Sequence, residues 1–266
     1  MIPSQVLLIA KLALVAASIW GASLLARRYG HAVSGALAGL PVIVGPIIAL
    51  LLIDLPAERV RGIALATLVC EPAMLAHIVV FANAARRFAW PVCLALATAT
   101  FALAAALLAR LDWGAAGATL LALAALVLAS RVLPMSSAAP ADAPVAVPRS
   151  ELGWRIAVAL AIAASVMWGA DHLPAAIAGA LLAVPITGSV LPCFTLPRHG
   201  AEATARLLAG FVRGQSGFVA FFIVLIALLP QLPKAAAFVA AVAAAVAAPL
   251  LLRQWTTATP ARSAAE

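Results

Sequence analysis

The sequence predicts an all-α, polytopic helical membrane protein with about nine transmembrane helices in two inverted repeats. Three observations predict it. The chain is 66% hydrophobic and only 10% charged, whereas soluble domains run near half apolar and a quarter charged. Apolar runs of about 20 residues, each long enough to cross a bilayer, recur from one end to the other. The stretch SGALAGLPVIVGP at 34–46 is answered by AGALLAVPITGSVLP at 178–192. The Ala/Leu/Val runs do not alternate in polarity, which excludes an outer-membrane barrel.

Taken in order, the spans are expected at 5–26, 32–53, 62–83, 90–110, 113–133, 154–170, 174–194, 204–229 and 233–252. The start, MIPSQVLLIAK, lacks the basic region of a cleaved signal, so the first run is expected to stay as a membrane helix. Between the fifth and sixth spans, PMSSAAPADAPVAVPRSELG is too rich in Pro, Ala and Ser to bury a core. It reads as a linker. Residues 1–133 then form a first membrane repeat of five helices and 134–153 a cytoplasmic linker. Residues 154–253 form a second repeat of four helices, and 254–266 a tail.

The basic residues choose a side. Arg27, Arg28, Arg86, Arg87, Arg131, Arg149, Arg155, Arg198, Arg206, Arg253 and Arg262 fall on one side of the nine spans, and Arg59, Arg61, Arg110 and Lys234 on the other. The richer side is expected in the cytoplasm. This gives a bacterial inner (cytoplasmic) membrane protein with a periplasmic N-terminus and a cytoplasmic C-terminus. The formal net charge of +8 lies mostly in the gaps between apolar runs and implies no nucleic acid. Cys70, Cys93 and Cys193 form no CxxC pair, so no metal, disulfide or cofactor role is expected.

The halves resemble each other. AASIWGA at 16–22 matches AASVMWGA at 163–170, and SGALAGLPV at 34–42 matches AGALLAVPI at 178–186. Glu58 then aligns with Glu202, and Glu71 with Gln215. Five spans precede the second copy, so it enters the membrane from the opposite side. Inverted repeats of this kind recur in secondary transporters.

Pro41 and Pro185 sit near mid-span, where each removes a backbone donor and crowds the carbonyl four residues back. Gly39, Gly45 and Pro46 accompany the first, and Gly188 and Pro192 the second. Opened backbone must be met by protein or water rather than lipid. Paired breaks in inverted repeats point to a midplane substrate site. Simple kinked packing helices are the competing account, and small residues four apart, such as Gly35 and Gly39, serve close packing on either view. Thr187 and Ser189 lie in the second broken stretch, to satisfy freed carbonyls or touch a ligand.

Glu71 lies at the centre of the third span and is a functional candidate because ionisable groups are costly there. His77, six residues on, points elsewhere and reads as a hydrogen-bonded packing residue. Arg213, with Gln215 and Ser216 beside it, either snorkels to the cytoplasmic surface or faces inward towards Glu71. Lys11 is a rival partner for Glu71. Helix N-termini and Arg213 would favour an anionic or zwitterionic solute, with Glu71 as the proton-coupling group.

Ile177, Ala178, Gly179, the mid-segment Pro185 and Gly210 carry a resemblance to small bacterial inner-membrane proteins of the GlpM-like type. This chain resembles a duplicated relative of them. The resemblance implies an inner-membrane location and little chemistry.

No HExxH, GxSxG or P-loop is present, so an enzyme is not expected. The expectation is a secondary transporter of a small anionic or zwitterionic solute, with proton coupling through Glu71. A non-transporting scaffold or accessory protein of envelope assembly is the alternative. The expected partners are the lipid bilayer and a small-molecule solute, with a homo-oligomer left open.

Overall fold

In the computed structural model, the described residues are 13, 16, 17, 20, 31–133, 149–169 and 172–257. Nearly all of the expected first span, Lys11, most of the linker and the tail after 257 lie outside them. So does much of the AASIWGA match.

The described residues are helical and contain no strand. The elements are α1 (His31–Gly39), α2 (Val44–Asp54), α3 (Ala57–Val69), α4 (Glu71–Ala84) and α5 (Trp90–Leu108). There follow α6 (Ala115–Val132), α7 (Arg149–Gly169), α8 (Ala175–Leu182), α9 (Ile186–Leu228) and α10 (Lys234–Thr257). Six helical stretches among the described residues are long and apolar enough to cross a membrane: Gly35–Asp54, Ala57–Ala84, Trp90–Leu108, Ala115–Val132, Ala175–Leu228 and Lys234–Leu252. This is compatible with a membrane location. It is fewer than the nine spans read from the sequence, for three reasons. The first span is outside the described residues. The sixth reduces to a shorter apolar stretch, Leu152–Val166. The seventh and eighth join into one 54-residue stretch.

Within that long stretch, α9 turns at Gly200, with φ 77° and ψ 179°. Only glycine adopts that region without steric cost, so this residue is where the chain changes direction.

Burial divides the helices into centre and rim. In Ala57–Ala84 and Ala175–Leu228, 67% of the most apolar window is buried, against 22% in Trp90–Leu108 and 17% in both Ala115–Val132 and Lys234–Leu252. The rim helices bury only one small stripe each, such as Cys93, Ala97, Phe101 and Ala105 on α5. Their remaining large apolar side chains, such as Leu103 and Leu107, are exposed, as befits a face that meets lipid tails.

The two central stretches are held by exchanged contacts. α1 lies backbone to backbone against α9. A methyl group added to Gly35 would strike the Leu207 carbonyl oxygen, one on Gly39 the Phe211 carbonyl oxygen, and one on Gly214 the Ala36 carbonyl oxygen. α8 lies the same way on α3. A methyl on Gly179 would come 2.7 Å from the Thr67 nitrogen. In the register that aligns Pro41 with Pro185, Gly35 matches Gly179 and Phe211 matches Thr67. Each half thus lends its short helix to the other half's long one. Close approach of this kind lets dispersion and polar contacts, rather than hydrophobic exclusion, hold helices together in lipid.

At one end of the bundle, basic side chains in the first turns of helices hold backbone carbonyls of other segments, most of them near helix ends. Lys234 Nζ donates to the Leu52 and Leu55 carbonyls at 3.0 and 2.6 Å. Arg61 Nε donates to the Ile226 carbonyl at 3.2 Å, and Arg59 to the Leu173 carbonyl. The last carbonyls of a helix have no partner within the helix and carry partial negative charge. Three of the four basic residues expected on the poorer side are therefore structural clasps.

Candidate functional site

The helix breaks build the site. α1 stops at Gly39 and α2 begins at Val44. Between them Val42 N–H donates to the Leu40 carbonyl at 2.7 Å, which closes a three-residue turn around Pro41. The second break repeats it. Ile186 N–H donates to the Val184 carbonyl at 2.8 Å, and Pro185 has φ −77° and ψ 65°, the values of an inverse γ-turn. Two flanking bonds repeat as well. Gly45 N–H donates to Pro41 O as Ser189 N–H does to Pro185 O. Leu40 N–H donates to Leu37 O as Val184 N–H does to Leu181 O.

This narrows the breaks expected from the sequence. Gly39 ends α1, and Pro41 and Pro185 centre the turns. Gly45, Pro46 and Gly188 lie instead in the first turns of the resumed helices, and Pro192 lies inside α9. Proline is tolerated in a first turn, because the donor it lacks would have no intrahelical partner there. Gly188 serves packing: a methyl on it would strike the Ile78 side chain.

A third interruption was not expected. α3 ends at Val69 and α4 starts at Glu71, with Cys70 between them. Pro72, in the first turn of α4, has no N–H for the preceding turn. The signal was present in the sequence as Glu71-Pro72. Glu71 therefore sits at a helix junction rather than within a continuous rod.

Glu71 is fully buried at 0% exposure, and neither carboxylate oxygen has a hydrogen-bond partner. One turn along α4, the Met74 sulfur accepts from Gln215 Nε2 of α9 at 3.1 Å. Gln215 is 1% exposed, and its Oε1 also lacks a partner. The Gln215 backbone nitrogen is 3.0 Å from where a methyl on Gly39 would lie. The first proline break, Gln215, Met74 and the Glu71 junction are therefore consecutive neighbours in the core.

The other expected residues divide. Thr187 is buried in the first turn of α9. Ser189 Oγ lies 3.1 Å from His77 Nε2, so buried His77 is a hydrogen-bonded residue of the core. No spacing in the sequence signals that pair, because it joins residues from different halves. Ser216 Oγ donates to the Arg213 carbonyl at 2.7 Å, a local bond within its own helix. Arg213 is exposed, and Glu71 makes no ion pair with it. The inward-facing arginine is thus corrected to an outward one. Its helix turns Gly214, Gln215 and Ser216 inward and leaves residue 213 on the opposite flank.

Among the described residues, no group of three or more His, Cys, Asp or Glu is placed to hold a metal ion. The two proline breaks thus carry polar groups of their own: Gln215, about a turn from the Glu71 junction, beside the first, and the Ser189–His77 pair at the start of the helix that follows the second. Such groups can exchange a proton or bind a small polar molecule. No known protein family, curated protein or solved structure matches the chain.

Proposed function

We propose that the protein is a secondary transporter of the bacterial inner membrane, built as two inverted repeats around nine spans, the first of them at 5–26. It carries a small anionic or zwitterionic solute past the paired proline breaks. The observation that carries this reading is the repeated turn: the same three hydrogen bonds surround Pro41 and Pro185. An exchange of short helices between halves also supports it, since a two-fold axis in the membrane plane produces that reciprocity.

The breaks give two helix starts whose N–H groups and partial positive charge suit a carboxylate or phosphate group. Arg213 plays no part in this version of the site. Glu71 is then the coupling group, because an ionised carboxylate at mid-span costs about 2.5–3.5 kcal/mol even on insertion scales. A proton on Glu71 would remove that cost and the repulsion of an anionic solute together. The GlpM-like resemblance agrees with the inner-membrane placement and adds no chemistry.

The test is a flux screen in proteoliposomes against anionic and zwitterionic metabolites, with and without a pH gradient. For any solute that moves, Pro41→Ala with Pro185→Ala is expected to lower the rate at least tenfold while the protein still elutes as a single folded species. Unchanged flux in that double variant sinks the reading. A scaffold, by contrast, moves no solute and tolerates Glu71→Gln.

A further inference from the structure

We infer that Glu71 and Gln215 together bind one monovalent cation, a proton or a sodium ion, at the centre of the bundle. The inference deepens the transporter reading, on which its coupling role rests, but binding itself needs no solute.

Three buried side-chain oxygens stand without a hydrogen-bond donor here: Glu71 Oε1, Glu71 Oε2 and Gln215 Oε1. The Gln215 amide donates to the Met74 sulfur, and Met74 lies one turn along α4 from Glu71, so the amide stands about a turn from the carboxylate. Buried acceptors left unpaired cost free energy, and an uncompensated buried carboxylate costs several kcal/mol more. A bound cation removes both penalties at once.

Charge sets the valence. The ionisable groups of the elements around Glu71 are few. Cys70 precedes it, and His77, further along α4, is engaged by Ser189. α5 contributes only Cys93, and α6 only Arg131 in its last turn. On α3, Glu58, Arg59 and Arg61 lie in the first turns, at the end of the bundle. On α9, Cys193 lies towards the start, Arg198, His199, Glu202 and Arg206 cluster near the Gly200 turn, and Arg213 is exposed. α1 adds His31 at its first residue. Among the described residues one carboxylate therefore stands alone, which matches one positive charge. Divalent ions take six or more oxygens, usually with several carboxylates, and this pair offers one carboxylate.

The repeat register adds a reason for the pairing. Gln215 occupies the place in the second half that Glu71 occupies in the first. Two glutamates would bury two charges; a glutamate with a glutamine keeps three of the four oxygens and halves the charge.

Infrared spectroscopy on the purified full chain in neutral detergent tests this without solute. Glu58 and Glu202 side chains are 81% and 65% exposed, so a buried carboxylic acid band is separable from theirs. In sodium-free buffer the wild type is expected to show that band at low pH and lose it as pH rises. Glu71→Gln should lack it. Loss on adding sodium at fixed pH identifies sodium as the ligand; loss with pH alone identifies the proton. Gln215→Ala should shift the half-titration point at least tenfold in proton or sodium concentration. The wild-type titration stands even if Glu71→Gln fails to fold. A carboxylate that stays ionised under every condition, or a Gln215→Ala protein that titrates like wild type, overturns the inference. Cation binding without any solute flux would sink the transporter reading alone, and flux without cation binding would sink this one alone.

Discussion

At the scale of single residues, the glycines separate into those that hold the halves together and those that do not. Gly39 and Gly214 face backbone carbonyls across the α1–α9 contact, where an added methyl has no flexible side chain to displace. Gly45 has open space around its missing side chain and lies in the first turn of α2. Gly39→Ala and Gly214→Ala are therefore expected to destabilise by about 1–3 kcal/mol each, the cost of overpacking. Gly45→Ala should be neutral or stabilise by no more than about 1 kcal/mol, since alanine is the better helix former. Thermal unfolding in detergent reads the contrast as a lowered midpoint for the first two and an unchanged or raised one for the third. Equal midpoints across the three would mean that the α1–α9 contact is looser than its backbone distances imply. Glu71 stands apart from the glycines. Its burial without a partner is a cost that packing does not explain, and that is why a bound cation is inferred there.

At the scale of elements, the basic clasps explain how interrupted helices keep their place. α2 is a short piece of 11 residues, and its C-terminal carbonyls at Leu52 and Leu55 are gripped by Lys234 from the start of α10. Replacing Lys234 with methionine keeps the apolar stem and removes both charged hydrogen bonds, at an expected cost of about 1–2 kcal/mol. Hydrogen exchange should rise in peptides covering 50–56 and stay unchanged in α5. Exchange that is unaltered at 50–56 would show the clasp to be ornamental. Much of this level was legible in the sequence. Apolar runs of about 20 residues mark the spans because a helix needs roughly that length to cross the hydrocarbon core, and Pro41 and Pro185 mark where helices stop because they lack an N–H. The extent of each break was not legible. Gly45, Pro46 and Gly188 looked like part of it, yet a helix start absorbs them at little cost. The junction at Cys70 was legible in principle from Pro72, but a single proline does not reveal whether a helix bends or stops. Side-chain partners were beyond the sequence altogether. Arg213 turned outward and His77 met Ser189 because neighbouring helices, not local spacing, decide which face is covered.

At the scale of the whole molecule, the exchanged short helices make each half incomplete. α1 closes on α9 through Gly35, Gly39 and Gly214, and α8 closes on α3 through Gly179. The largest buried side chains come from both halves, with Ile47, Ile63 and Phe81 from one and Leu207, Phe221 and Phe222 from the other. A half expressed alone would leave a backbone groove without its matching helix. In lipid, that groove has no hydrophobic penalty to fear, but it loses the close contacts that give membrane helices their affinity. Residues 1–140 and 141–266 produced separately are therefore expected to be degraded or to aggregate. Produced together, they should co-purify as a one-to-one complex, because the cut falls in the Pro/Ala/Ser-rich segment between α6 and α7. Gly35→Leu should weaken that complex at least tenfold, since its side chain would fall on the Leu207 carbonyl. Size-exclusion chromatography with a tag on one fragment reads the outcome. Two halves that fold and persist independently, each monomeric and neither capturing the other, would show that the reciprocal helix exchange does not hold the bundle together. The two-fold arrangement on which the transporter reading leans would then lose its support.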